Sequence, residues 1–235
     1  MEYFPEVLLI CLIGGLVSID TASGWQIMIS QPVVACPVIG LIFGNVEMGI
    51  MMGVLLELPW LINIPTGGTH GSEGNLGAVV AASVGVYLLD NQVNTENIII
   101  IASILYSLLV SRIGRHLVEF MRRENVRLLY GADRAASVAD LQKITLLHLM
   151  GVVYAFILGI VLVGISFTIG ILILPALVGF IPEYFDFAFG VAKYGILGVG
   201  FGVIATLFIS RETRWHLIVA FLFSLAGLFL LLFIK

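Results

Sequence analysis

The chain has 235 residues, 60% of them apolar and 11% charged, and its mean hydropathy is +1.12. Soluble domains carry about 25% charged residues, so this chain has too little polar surface for water, and lipid is its solvent. The net charge of −4 hides an asymmetry: residues 1–111 contain eight acids and no Lys or Arg, while residues 112–143 hold seven of the eleven basic residues.

Such a short basic segment between apolar ones marks the cytoplasmic side of a membrane protein. Glu119, Glu124, Asp133 and Asp140 are interleaved with its arginines, which argues against a nucleic-acid surface. Cys11 and Cys36 both lie in apolar context and read as small hydrophobes. Zinc spacing, phosphate loop and dinucleotide fingerprint are all missing, so no metal or cofactor is expected. MEYFPEVLLI has no basic residue and does not resemble a secretory signal.

Apolar stretches follow one another at 7–19, 33–44, 46–62, 76–89, 98–110, 144–178, 188–210 and 215–234. A crossing helix needs about 20 residues. The last two satisfy that. The 144–178 stretch is too long for one untilted helix and is expected to tilt, kink or break near Ile165–Gly170. Several of the first five are too short alone. Short, Gly- or Pro-interrupted segments can enter a bilayer and turn back where protein or water surrounds them, and they point to transporter binding sites. The pattern predicts an all-α, polytopic membrane protein with transmembrane helices and re-entrant hairpins. It forms one domain over 1–235, with a site-bearing region at 1–90, a basic amphipathic segment at 112–143 and a helical scaffold at 144–234. The basic segment, with Leu117, Phe120, Met121, Leu128 and Leu129 apolar, is expected on the inner membrane face.

Chemistry is sought where polar residues interrupt apolar ones. Glu57 lies between long apolar flanks, and a carboxylate there needs a partner or a wet cavity. It reads either as a ligand contact or as a structural acid capping an interrupted segment. Trp60 shares its helical face if the helix survives Pro59. A carboxylate that accepts hydroxyls beside an indole face that covers a ring suits a sugar. A membrane-interface anchor is the competing role for Trp60. The polar run 63–75 adds Asn63, His70 and Glu73 as candidate ligands, or else is an exposed loop. Asp20 lies in a polar break of the first stretch as a helix cap or a cavity residue. Gln31 before Pro32 offers an amide to a hydroxyl, or sits in a surface turn. His116, His148 and His216 have no ligand-spaced companions. Glu183 and Asp186 fit a loop on the outer side. No nucleophile, base and orienting group fall together, so covalent catalysis by this chain is not indicated.

The run from Gln31-Pro32 through Ala35-Cys36-Pro37, Gly40, Gly44-Asn45, Gly49, Gly53 and Leu56-Glu57 resembles the membrane subunit IIC of the mannose/fructose/sorbose-type sugar phosphotransferase system. Asn45 stands where that family usually has an acid, and Gln31 where an arginine often precedes the proline. The resemblance implies a multi-pass permease of the bacterial cell membrane, working in an oligomer with a second membrane subunit, IID. It also implies cytoplasmic IIA and IIB proteins that carry phosphate, with IIB phosphorylating the delivered sugar. This chain would then bind and pass the sugar without itself catalysing a reaction, and Glu57 transfers most directly as the acid that ends the motif. The alternative is a proton- or solute-coupled transporter working alone.

Overall fold

A computed structural model describes residues 4–24, 26–61, 73–91, 95–210 and 213–233. The chain is all-α there: α1 (Phe4–Ala22), α2 (Pro32–Ile42), α3 (Val46–Trp60), α4 (Gly74–Asn91), α5 (Glu96–Ser137), α6 (Leu141–Gly179), α7 (Asp186–Phe208) and α8 (Arg214–Phe233), with a 3₁₀ turn at Glu183–Phe185. Among the described residues four helices are long and apolar enough to cross a membrane: α1, α5, α6 and α7 with the turn before it.

Helices α2 and α3 form an antiparallel hairpin. With 11 and 15 residues they are about 16 and 22 Å long at about 1.5 Å per residue, short of the ~30 Å hydrocarbon core. The turn is made by Gly44, whose φ of +77° suits glycine, and by Asn45, whose side chain accepts the Met48 N–H at 3.0 Å to start α3. Glycines then bring the backbones together. A Cβ on Gly49 would lie 2.6 Å from the Cys36 carbonyl oxygen, and one on Gly53 2.8 Å from that of Pro32. The spaced glycines of the motif are therefore the seam of this hairpin.

The core is filled by α4, which packs on α2, α3, α5 and α6. Residues Leu76 to Val86 of α4 are buried almost continuously. Opposite lies a serine row on α5, Ser103, Ser107 and Ser111, spaced at one face of the helix. Gly77 of α4 faces Ser107 and Ser111, and Gly85 faces Ser103. Small residues on both sides let the helices approach closely, as membrane bundles require.

Helix α6 runs unbroken over 39 residues. The weak point expected near Ile165–Gly170 is instead among its best-packed parts. Phe167 is fully buried, Gly170 lies against Val84 and Tyr106, and the Tyr106 hydroxyl donates to the Ser166 carbonyl at 2.7 Å. Length is accommodated by extension past the bundle. Helix α5, at 42 residues, continues without interruption from its apolar half into the basic segment. That segment is the outer half of α5, paired antiparallel with the start of α6, rather than a separate helix lying along a surface. Gly131 faces Leu147 across this pair, and Asn125 faces Gly151.

The contacts fix the relative ends of the bundle. Ala22, at the end of α1, packs with Val118, Met121 and Ala155 on the basic side. The α2 N-terminus, the α3 C-terminus and the α4 N-terminus share that side. The hairpin turn, the α4 C-terminus, the α5 N-terminus and the 3₁₀ turn lie toward the other. Helix α7 runs beside α3, with Gly200 against Leu58, but most of its surface is bare. Among the described residues helix α8 makes no substantial contact with the rest.

Candidate functional site

Of the polar residues singled out in the sequence, Asp20, Gln31, Glu57, Trp60 and Glu73 lie at the basic-side end of the bundle. Asp20, 2% exposed, has no cation partner among the described residues. Its Oδ1 accepts the Ile27 N–H at 2.8 Å and its Oδ2 the Ser30 N–H at 3.0 Å. Peptide donors satisfy the carboxylate and fold residues 26–31 over the end of α1. Gln26 and Met28 adopt positive φ within that segment, at 50° and 69°, a conformation that costs non-glycine residues energy and needs such external restraint.

Three residues further on, Glu57 Oε2 accepts the Val33 N–H at 3.0 Å. Val33 is in the first turn of α2, where N–H groups lack intrahelical partners and the helix dipole favours negative charge. The capping role of Glu57 is thus realised. The residue sits one turn from the end of α3, half-exposed rather than deep within a long apolar helix. Its other oxygen has no hydrogen bond among the described residues and can still accept one. Two carboxylates therefore clamp the N–H groups of residues 27, 30 and 33. Between these clamps Gln31 is the N-cap residue of α2, and its side chain makes no capping bond.

Pro59 does not end α3, so Glu57 and Trp60 stay three residues apart on one helix. The Trp60 ring lies flat on the backbone of Gly74, where a Cβ would collide with it. Only glycine admits this contact. The indole N–H is buried and has no acceptor among the described residues. Glu73 is adjacent, at the mouth of α4. Its N–H donates to the Ser111 carbonyl at 3.2 Å, and its side chain packs over Gly114. Burial raises the Glu73 carboxyl above the usual carboxylate range, with the Arg122 guanidinium pulling the other way. The Ser111 hydroxyl here is buried without a partner among the described residues. Asn63 and His70 lie outside the described residues.

Two residues escaped the sequence reading, Ser111 at this end and Lys193 further along the bundle against the middle of α3. Ser111 is signalled by the four-residue serine spacing on α5. Lys193 is the lone charge in the apolar run 188–210. Its ammonium faces α3 with Nζ 3.9 Å from Met51 Sδ, and no carboxylate pairs with it among the described residues. Ionisable groups at membrane depth are rare and tend to be functional. Among the described residues no group of three His, Cys, Asp or Glu could hold a metal.

Residues 4–234 match the family model described as the sorbose-specific IIC component of the phosphotransferase system. The chain belongs to this family. Among curated proteins, the sorbose-specific EIIC component of Klebsiella pneumoniae is 28% identical over 74% of the chain. The fructose permease IIC component of Bacillus subtilis is 22% identical over 75%. Each match spans 63% of the relative, so the chain spans less than two thirds of the length of the curated relatives it matches. The fold is shared with a structure described only as a membrane protein, at TM-score 0.75 and 17% identity, over 97% of this chain and 92% of that one. It is also shared with the mannose transporter ManYZ in complex with microcin E492, at TM-score 0.57 and 18% identity, over 97% and 94%. Family membership accords with the resemblance carried by residues 31–57, and the chain is a multi-pass membrane protein of the IIC family.

Proposed function

We propose that this IIC-family chain binds a sugar at the basic-side end of its short hairpin and passes it across the bilayer. Delivery would be to a cytoplasmic IIB protein charged by IIA, with a IID subunit completing the path. The basic ends of α5 and α6 would face the cytoplasm, as charge placement requires. The carrying observation is that Glu57, with one oxygen bonded and one open, and Trp60, with an indole N–H that has no acceptor among the described residues, lie three residues apart at one end of α3. A ring with hydroxyls on its edge and C–H groups on its face needs such acceptors, donors and an aromatic wall. Gln31 and Glu73 stand beside that pair as further hydrogen-bonding groups, and Asp20 holds the segment between them.

Two substitutions at Glu57 separate binding from capping. Glu57→Gln keeps an oxygen for the Val33 N–H and removes the charge. Uptake of radiolabelled sorbose, fructose or mannose by cells carrying the complete system should fall at least about tenfold, the scale of a lost charge-assisted hydrogen bond, at unchanged melting temperature. Glu57→Ala should lose uptake and also about 1 kcal/mol of stability through the missing cap. Normal uptake by Glu57→Gln would leave the acid a capping role alone.

A second reading, a proton-coupled carrier working alone, draws on Glu73, a carboxyl that burial raises above the usual carboxylate range. Purified chain in liposomes distinguishes it. A pH gradient would drive sugar uptake without phosphoenolpyruvate under that reading and would have no effect under the first.

A further inference from the structure

A cavity of about 470 Å³ lies at the other end of the bundle, between the end of α4, the start of α5 and the end of α6. Its volume falls in the range that holds small ligands, about 300–1,000 Å³. Apolar walls from Ile99, Ile171 and Pro175 enclose it, and Thr95, Tyr87 and Glu183 bring polar groups to it.

Thr95 is the informative member. It occupies the N-cap position of α5, where a threonine hydroxyl ordinarily accepts a backbone N–H of the first turn. Here it makes no such bond. Asp186 caps the helix from outside. Its Oδ1 accepts the Ile98 N–H at 3.1 Å, and its Oδ2 accepts the Asn97 side-chain N–H at 2.6 Å. The Thr95 hydroxyl is left over: the residue is 3% exposed and its oxygen has no partner among the described residues. A buried hydroxyl without a partner is costly. One that lines a cavity is explained by something that enters it. Glu183, exposed at the rim on the 3₁₀ turn, adds a carboxylate acceptor.

The cavity also touches the hairpin. Tyr87, one of its walls, packs edge-on against Phe43 beside the hairpin turn, with ring centres 6.1 Å apart, and against Phe167 at 5.5 Å. This aromatic contact is a floor between the cavity and the hairpin tip.

We propose that this cavity is an outer docking site for a hexose, which it receives on the side opposite the basic helices. The Thr95 hydroxyl and the Glu183 carboxylate engage sugar hydroxyls, and Ile171 and Pro175 cover the ring. The proposal rests on the reading of the chain as a sugar carrier.

Thr95→Val keeps the shape and removes the hydroxyl. Gly179→Leu fills the cavity at a position where a Cβ meets nothing within 4 Å. Both variants should reach the membrane and melt no lower than the parent, since neither breaks a described contact. In cells carrying the complete system, concentration series of radiolabelled fructose, sorbose and mannose should show the KM for uptake raised about three- to tenfold, the effect of one neutral hydrogen bond. Thr95→Ser should restore it. An unchanged KM in both variants, or a fall in maximal rate alone, overturns the docking site while the carrier reading stands. No uptake of any of the three sugars by the parent, with no stabilisation by them in detergent, overturns the carrier reading and this site with it.

Discussion

Asp20 and Glu57 do the same chemistry with different margins. Both are carboxyl groups held by peptide N–H groups, in a part of the chain with no Lys or Arg. Asp20 uses both oxygens and is buried, so Asp20→Asn must turn an amide donor toward a backbone donor. That substitution should cost about 1–3 kcal/mol, seen as a lower melting temperature in detergent and faster proteolysis within residues 26–31. Glu73 behaves oppositely. Its carboxyl is raised by burial, so the fold favours its protonated form. The stability contribution is fully present below the ordinary carboxylate range and is lost as pH rises through the raised value. Glu73→Gln should therefore melt at or above the parent at neutral pH, and the gap should close as a melting series descends to acid pH. That these acids matter was legible, because charge in an apolar run is costly. Which donors hold Asp20 and Glu57 was not, since the donors come from chain that folds back over helix ends.

Among the elements, the glycines of the hairpin divide by role. Gly40, Gly49 and Gly53 bring α2 and α3 to backbone distance, while Gly44 makes the turn. Gly49→Ala should destabilise the protein by about 1–3 kcal/mol, the usual cost of overpacking, measurable as a melting shift. Gly195→Ala on α7 meets nothing within 4 Å and should leave the melting temperature of the isolated chain unchanged. The expected break in α6 had a sound premise, since 39 residues exceed a bilayer. Ser166 and Gly170 looked weak as local sequence, yet Ser166 is buried with its carbonyl held by Tyr106, and Gly170 lies against Val84 and Tyr106. The basic segment's amphipathic pattern was visible, but not that its apolar face meets α6, because a helix stripe does not name its partner.

For the molecule as a whole, helix content and membrane class followed from composition alone. The two ends of the bundle and the outer cavity did not, because they depend on which helix ends meet. Most of α7 and the described side chains of α8 are bare. Truncation after Ile209 should leave the detergent-solubilised bundle melting as before, since among the described residues α8 makes no substantial contact with it. The same truncation should shift any oligomer to smaller size by gel filtration, if α8 serves as contact surface between chains.

The glycine seam also has a mechanical meaning. At Gly40, Gly49 and Gly53 backbone lies against backbone, which leaves little side-chain slack between α2 and α3 there. A pair so joined would carry Phe43 near one tip and Val33 and Glu57 at the other, and a displacement of Tyr87 would be felt first at Phe43.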